Sequence, residues 1–201
     1  MNFENFDNNI EKPIISEDVQ EQLDNLDLTI EDVTGKILDI GAGEAQFARE
    51  LKDISDADIV SVDDYKKENV VDDIIIADVR ELPFEDNSFD RVVSHASIPN
   101  VFIGMYSEEF SESSKEEIIK SIQKSFREIL RVLKSGSSAV MAPIRIANNY
   151  NSEKALASSL EKVLDEIKTE GVSVSFDLIK EVENPSNKEK SKSYRLTLLK
   201  K

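Results

Sequence analysis

The sequence contains no cysteine, one histidine, and no apolar run long enough to cross a membrane. The absence of cysteine excludes a disulfide framework, a thiolate metal site and a cysteine nucleophile. Neither an apolar stretch of about 18 residues nor a charged-then-apolar leader is present, so we expect a soluble, cytoplasmic protein. With 201 residues, the chain has the size of one domain with a sizeable core.

Basic residues are scarce in the first half of the chain. Residues 1–100 hold 26 acidic and 8 basic residues, whereas residues 101–201 hold 15 and 17, and the net charge is −16. A strongly acidic surface repels phosphate backbones, so a nucleic-acid substrate is disfavoured unless the lysines of the second half gather on one face. The alternative explanation is that these charges only keep the protein soluble.

From Gly35 to the end, short apolar runs alternate with amphipathic helical patterns, which is typical of a parallel sheet flanked by helices. The last two predicted strands are joined by a polar segment, residues 184–192, that is too short for a crossover helix. They are therefore expected to pair antiparallel, whereas the first five are predicted to form parallel strand and helix units. The seven predicted strands lie near residues 36–40, 58–62, 73–77, 89–94, 137–143, 173–181 and 193–199.

Two amphipathic helices are predicted in the second half of the chain. Gly136 and Gly171 are interpreted as their left-handed ends, and the charged residues within 126–136 as solvated. Residues 1–34 are expected to form a helical cap that lies either over the ligand site or against the sheet edge. The apolar stripes of the two helices are Ile118, Ile119, Ile122, Phe126, Ile129, Leu130 and Leu133, then Leu156, Leu160, Val163, Leu164 and Ile167.

The first predicted strand runs into two glycines within residues 37–45. Gly41 and Gly43 have no Cβ, so the backbone can turn sharply and approach a ligand, while the following helix presents its N-terminal amides. A NAD-binding turn usually has glycine or alanine where Gln46 stands. The carboxylate of Asp39 would also repel dinucleotide phosphates, but it suits the ammonium and sulfonium charges of S-adenosylmethionine.

Two further elements place acids at strand ends. Residues 59–64 form an apolar strand that ends in Asp63 and Asp64, about twenty residues beyond the glycine turn, where a carboxylate can accept both ribose hydroxyls. Residues 76–90 lead from the third strand to the fourth and contain Asp78. Three such elements in this order are far less probable by chance than any one of them.

These elements and the final antiparallel strand pair resemble the class I S-adenosylmethionine-dependent methyltransferases from about residue 35 to the end. The family pattern is acid-x-Gly-x-Gly-x-Gly, and the chain departs from it only at Ala45. The resemblance implies an α/β, Rossmann-like three-layer αβα sandwich. Its seven-stranded sheet would be mostly parallel with an antiparallel last strand, and residues 35–201 would form the domain that binds S-adenosylmethionine.

The resemblance also implies roles for single residues. Asp63 would bind the ribose, with Asp64 as the fallback. Asp78 would accept a hydrogen bond from the adenine amino group, and Val79 would cover the ring. No metal ligand is predicted. The whole predicted cofactor site comprises Asp39, Gly41, Ala42, Gly43, Asp63, Asp64, Asp78, Val79 and Ser94.

The methyl acceptor is expected over the carboxyl ends of strands four and five. His95 directly follows strand four and is the candidate catalytic base, although a structural or adenine-edge role is the alternative. Tyr106 and Arg145 are candidate substrate contacts, and a surface salt bridge is the alternative for Arg145. The chain lacks both an Asn-Pro-Pro-Tyr-like tetrapeptide and a cysteine for cytosine C5 chemistry, so a small-molecule acceptor is favoured over nucleic acid.

Two other functions stay open at this point. One is a non-catalytic S-adenosylmethionine-binding sensor or partner subunit, which methyl transfer to any acceptor would exclude. The other is an NAD-dependent oxidoreductase, which the order of the last strands would separate from a methyltransferase. The sequence does not determine the acceptor atom or the oligomeric state.

Overall fold

A computed structural model describes residues 15–65, 74–104, 112–147, 151–183 and 190–201. The helices are α1 (Glu17–Leu26), α2 (Gln46–Leu51), α3 (Val101–Gly104), α4 (Glu112–Val132) and α5 (Asn151–Thr169), with a 3₁₀ turn over Ile30–Asp32. The strands are β1 (Thr34–Ile40), β2 (Asp56–Asp63), β3 (Ile74–Ile76), β4 (Phe89–His95), β5 (Leu133–Ala147), β6 (Ser173–Glu183) and β7 (Lys190–Leu199). No helix in these ranges is long and apolar enough to cross a membrane.

The strands form one sheet in the order β3-β2-β1-β4-β5-β7-β6. Strands β1 to β5 are parallel, and β7 runs antiparallel to both of its neighbours. The predicted mostly parallel sheet with an antiparallel last strand is therefore confirmed. One expectation is wrong, because residues 77–88 connect β3 to β4 without a helix. Pro83 and Asn87, the latter with φ of 54°, favour turns in this connection.

Helices cover both faces of the sheet and complete the predicted three-layer sandwich. Helices α1 and α2 pack on one face, where Leu23 and Phe47 join a buried cluster with Val93 and Val140. Helices α4 and α5 pack on the other face and contact each other. Apart from Ile119, which is partly buried, the predicted stripes of both helices are buried in the larger core cluster. The sheet is thus protected from water on both sides along its centre.

Helix α1 is tied to α2 through its first turn. The Ser16 hydroxyl accepts a hydrogen bond from the Val19 amide at 3.2 Å, which is an N-cap interaction. The Ser16 amide donates to Glu50 at 2.7 Å, and the Gln46 side chain donates to both Ser16 and Glu50. Helix α1 also contacts β4 and β5. The position of a domain boundary near residue 34 stays a prediction.

The two glycines predicted to end helices have different positions. Gly171 has φ of 87° and lies two residues after Thr169, the last residue of α5, as expected for a helix end. Gly136 has φ of 81°, but α4 already ends at Val132 and Gly136 lies within β5. Leu133 already pairs with Phe89 of β4, and the register then shifts before the next pairing. The left-handed conformation of Gly136 therefore lies in the irregular first part of β5, and this glycine does not cap a helix.

A charged pair at the end of α4 holds the connection between β3 and β4. Arg131 donates to the carbonyls of Leu82 at 3.0 Å and Phe84 at 2.7 Å. Glu128 accepts from the Leu82 amide at 2.9 Å and pairs with Arg131 at 2.8 Å. The expectation that the charged residues here are merely solvated is wrong for this pair, because the loop presents backbone groups that need partners.

We expect Arg131→Met to lower the free energy of unfolding by about 1–3 kcal/mol, because it removes charge-assisted hydrogen bonds to the connecting loop. Urea unfolding followed by circular dichroism would measure this. Arg127→Met is the matched control on the same helix. Arg127 is exposed and forms an ion pair with Glu170 at 3.5 Å, so the substitution should change stability by less than about 0.5 kcal/mol. Equal effects of the two substitutions would contradict the role of Arg131.

Candidate cofactor and acceptor site

The order of strands reverses between β1 and β4, and a crevice opens at their carboxyl ends. The chain leaves β1 towards α2 on one face and leaves β4 towards α3 and α4 on the other. Two cavities open there and share Gly41, a larger one of about 440 Å³ and a smaller one of about 240 Å³. The larger cavity is lined by Ile40, Gly41, Val62, Asp63, Asp64, Ala77, Asp78, Val79, Arg80, Ser97, Ile98, Val101 and Phe102. The smaller is lined by Gln22, Asp39, Gly41, Ala42, Glu44, Gln46 and His95.

The glycine turn connects β1 to α2 and is hydrogen-bonded to the end of β2. The amides of Gly41 and Ala42 both donate to the Val62 carbonyl, at 2.8 and 3.1 Å. Gly41 has φ of 74° and Gly43 has φ of 60°, the left-handed conformation that glycine adopts without strain. Ala45 has φ of 53° in the position where the family has a third glycine. An alanine there permits the turn, although it adds backbone strain that glycine would not.

Asp39 is buried at the end of β1, and its Oδ2 has no hydrogen-bond partner within the described parts of the chain. Burial is the main cause that raises its pKa to about 7, and the negative charge of Asp63 adds to the effect. A buried carboxylate without a partner is costly for folding. Because Asp39 lines the smaller cavity, a cation bound there would supply the missing partner.

Asp63 and Asp64 lie at the carboxyl end of β2, as predicted. Asp63 accepts a hydrogen bond from the Gly43 amide at 2.8 Å, so the glycine turn holds this carboxylate in place. Burial raises the pKa of Asp64, and its hydrogen bond and charge interaction with Asp63 contribute further. Both line the larger cavity, where two adjacent carboxylate groups suit a pair of hydroxyls.

Asp78 and Val79 follow β3 and line the same cavity, as predicted. The Asp78 carboxylate is held by the guanidinium of Arg80 at 2.6 to 3.0 Å. These hydrogen bonds lower the pKa of Asp78, so it is ionised at neutral pH. Arg80 is a site residue that our sequence reasoning missed, although its spacing of two from Asp78 could have suggested the pairing.

The turn after β4 supplies a wall of the larger cavity that was also missed. Ser97, Ile98 and Phe102 line this cavity. The structure does not bring Ser94 into either cavity, because Ser94 is fully buried and its hydroxyl accepts from the Ile98 amide at 3.1 Å. A Cβ on Gly41 would overlap the Ser97 side chain, which explains the need for glycine there.

His95 lies at the end of β4 and lines the smaller cavity. Its Nε2 is 3.1 Å from the side-chain nitrogen of Asn25 on α1. Burial is the largest effect on the ring and lowers its pKa, which the nearby Arg145 also lowers and Glu21 raises. The imidazole is therefore neutral at pH 7, and α1 forms part of its surroundings. Gln22 and Asn25 carried no pattern in the sequence that marked them as site residues.

Arg145 is exposed on β5 and does not line either cavity, although its charge acts on His95. Asn100 holds this end of β5 by donating to the Pro143 carbonyl at 2.8 Å and accepting from the Arg145 amide at 3.3 Å. Tyr106, the other candidate substrate contact, lies outside the described residues. Within the described ranges no cluster of three or more histidine, aspartate or glutamate residues could hold a metal ion.

The two cavities together fit S-adenosylmethionine. Asp39 supplies an unpaired buried carboxylate for a cationic group, and a Cβ on Gly43 would meet nothing within 4 Å, so the turn leaves open space. The carboxylates of Asp63 and Asp64 suit ribose hydroxyls, and Asp78 suits an amino group on the base. The residues present would therefore hold adenosine in the larger cavity and the methionine part in the smaller one.

Comparison with known proteins identifies the domain type. Residues 38–141 match the family model described as a methyltransferase domain, which amounts to 104 of the 201 residues. The match begins near the end of β1, includes the glycine turn and the acidic ends of β2 and β3, and stops within β5. No curated protein sequence matches the chain.

The fold is similar to that of several solved structures. Two are of phosphoethanolamine N-methyltransferase 2 from Haemonchus contortus, one with S-adenosyl-L-methionine and one with phosphomonomethylethanolamine and S-adenosylhomocysteine. They are 16% identical to the chain, with TM-scores of 0.56 and 0.57, and cover 96% and 91% of it. The chain covers only 54% and 52% of that enzyme, about half its length. The [4+2]-cyclase SpnF is 15% identical, with a TM-score of 0.52 over 90% of this chain and 80% of that chain.

We expect the affinity for S-adenosylmethionine to fall about tenfold for each pH unit below 7, because Asp39 must lose its proton before it can pair with the cation. Above pH 8 the affinity should be constant. Calorimetric titration between pH 5.5 and 8.5 measures this, with Asp39→Asn expected to bind more weakly and without this pH dependence. His95→Gln is the control, and it should keep the dependence near pH 7.

Asp39→Asn should also stabilise the protein in the absence of ligand. The native pKa of Asp39 is above its ordinary value, so the folded state binds more protons than the unfolded state between about pH 4 and 7, and stability falls as pH rises through this window. At pH 8 we expect Asp39→Asn to raise the free energy of unfolding by about 4 kcal/mol, and at pH 4 to change it little. A loss of stability at pH 8 would mean that Asp39 has a favourable partner in the free protein.

Gly41→Ala should destabilise the protein by more than about 2 kcal/mol, because the new methyl group overlaps Ser97. Gly43→Ala is the matched control, since it has the same left-handed backbone but open space around the new Cβ, and it should cost about 1 kcal/mol. Adding Ser97→Gly to Gly41→Ala removes the overlap and should restore most of the difference. Urea unfolding compares the variants, and no recovery in the double variant would contradict this explanation.

Proposed function

The chain belongs to the methyltransferase domain family and is an S-adenosylmethionine-dependent methyltransferase, and we propose that its acceptor is a small molecule bound beside His95. The observation that carries this proposal is the smaller cavity, which is lined by Gly41 of the glycine turn, by His95 and by Asp39, whose Oδ2 has no hydrogen-bond partner among the described residues. The cavity is small and mostly polar, which supports an acceptor with polar groups near the reacting atom.

S-adenosylmethionine supplies an activated methyl group when it is bound, so the chain's main tasks are alignment, exclusion of water and removal of one proton. The buried carboxylate of Asp39 would hold the cationic end of the cofactor. His95 is neutral at pH 7 and can take a proton from the acceptor. The amide of Asn25 offers both a donor and an acceptor, so it can pair with either tautomer of the ring as the proton moves.

The charge around the site supports a small molecule over a nucleic acid. Two acidic residues, Asp39 and Glu44, line the smaller cavity, and the charge of the exposed Glu21 acts on His95. The chain as a whole carries a charge of −16. A phosphate backbone would be repelled from this surface. Arg145 supplies a positive charge at the rim and is proposed to contact the acceptor, together with Tyr106.

Release of S-adenosylhomocysteine in the presence of a panel of small amines, thiols, phenols and carboxylic acids tests this proposal. With an accepted substrate, we expect His95→Gln to lower kcat about 10²-fold or more, with KM for S-adenosylmethionine within about twofold of the original. The wild-type kcat should rise with pH through the pKa of His95, which burial lowers from its ordinary value. Lys162→Gln, on the exposed side of α5, is the control and should leave kcat unchanged.

Two outcomes would contradict the proposal. A normal kcat for His95→Gln would remove the base from the mechanism, because this is the chain's single histidine. Tight binding of S-adenosylmethionine without methylation of any small acceptor would favour a macromolecular acceptor or a non-catalytic binding protein.

A further inference from the structure

Asp78 and Arg80 form a forked ion pair on the wall of the larger cavity. The Arg80 Nε lies 2.9 Å from Oδ1 and 3.0 Å from Oδ2 of Asp78, and Nη2 lies 2.6 Å from Oδ2. The backbone amide of Arg80 also donates to Oδ1 at 2.8 Å. Both residues line the cavity. A carboxylate held by a fork and a backbone amide has a fixed position and plane.

This ion pair contributes little to folding. The side chains of Arg80 and Asp78 are 37% and 46% exposed, and exposed pairs are screened by water. The pair is nevertheless the most heavily bonded side-chain pair in the described wall of this cavity. Its geometry therefore matters for what binds in the cavity more than for the stability of the protein.

The charges around Asp78 make the guanidinium important. Asp63, Asp64 and Asp78 line the same cavity, and Arg80 is the cationic residue among the described residues of its wall. Burial is the main cause that raises the pKa of Asp64, and the negative charges of Asp63 and Asp78 raise it further. Arg80 lowers the pKa of Asp78 and so keeps it as a pure hydrogen-bond acceptor.

We propose that Arg80 is a positioning residue that selects the 6-amino group of adenine by holding Asp78 ionised and fixed. The proposal rests on the use of S-adenosylmethionine and on Asp78 as the acceptor for its base. A fixed carboxylate accepts from a 6-amino group but repels the 6-oxo group of hypoxanthine, because neither oxygen has a hydrogen to offer. Arg80 thus acts on the base through Asp78.

The test compares two neutral zwitterionic ligands that differ only in the base. S-adenosylhomocysteine and S-inosylhomocysteine are titrated calorimetrically into the full chain and into Arg80→Met and Arg80→Lys. The wild type should prefer the adenine ligand by at least about 100-fold, because a polar site rejects a ligand that cannot pair with it. Arg80→Met should bind S-adenosylhomocysteine about tenfold more weakly while its affinity for the inosyl ligand changes less than about twofold.

The other variants separate the fork from charge and from folding. Arg80→Lys keeps the positive charge but cannot form the two-nitrogen fork. Its affinity for S-adenosylhomocysteine should therefore lie between that of the wild type and that of Arg80→Met. Arg127→Met is the control for loss of one arginine, and it should leave both affinities unchanged. In an Asp78→Ala background, adding Arg80→Met should change neither affinity by more than about twofold, because the proposed effect of Arg80 on the base acts through Asp78.

The outcomes distinguish failure of the Arg80 role from failure of the cofactor assignment. Equal losses for both ligands in Arg80→Met, tighter binding of S-adenosylhomocysteine, or a full Arg80 effect in the Asp78→Ala background would overturn the role of Arg80 alone. If the wild type binds neither ligand, the cofactor assignment fails and the inference fails with it. Unchanged urea unfolding of Arg80→Met would show that any change in affinity is not a loss of fold.

Discussion

The reversal of strand order between β1 and β4 is the constraint on which the rest of the structure depends. Chain segments that leave the two central strands must go to opposite faces of the sheet, so their ends cannot close the space between them. The glycine turn and the turn after β4 meet across this gap, where Gly41 leaves room for Ser97. Every residue that we assign to the cofactor lies at this edge or on the neighbouring ends of β2 and β3.

The site is built from carboxylates that oppose folding and favour binding. Among the described residues, Asp39 is buried without a hydrogen-bond partner for Oδ2, and burial together with the neighbouring Asp63 raises the pKa of Asp64. Such an arrangement costs stability in the free protein, and a cationic ligand with hydroxyl donors relieves that cost when it binds. The forked ion pair of Asp78 with Arg80 is the exception, because there the protein supplies its own cation.

Irregular segments around the site are held by side chains from regular elements. Arg131 and Glu128 of α4 bind the backbone of the connection after Asp78, and Asn100 joins the turn after β4 to the end of β5. Helix α1 reaches the site from the other face of the sheet and brings Asn25 to His95. Loops can thus carry the chemistry while the packed helices and strands determine their shape.

The sequence by itself determined the fold and the cofactor, because both depend on local patterns. Alternating apolar segments predicted the seven strands, and the short polar link before β7 predicted its antiparallel pairing. Acids at the ends of apolar strands marked Asp39, Asp63 and Asp78, since a strand end fixes where its next side chain lies.

Tertiary structure alone decided which distant residues meet. The pairing of Arg131 with the loop at Leu82, the contact of Asn25 with His95 and the overlap that requires glycine at Gly41 join residues far apart in the chain. The directions of two serines were also decided by packing. Ser94 lies in the core and Ser97 lines the cavity, because the packed turn after β4 determines which serine faces the ligand.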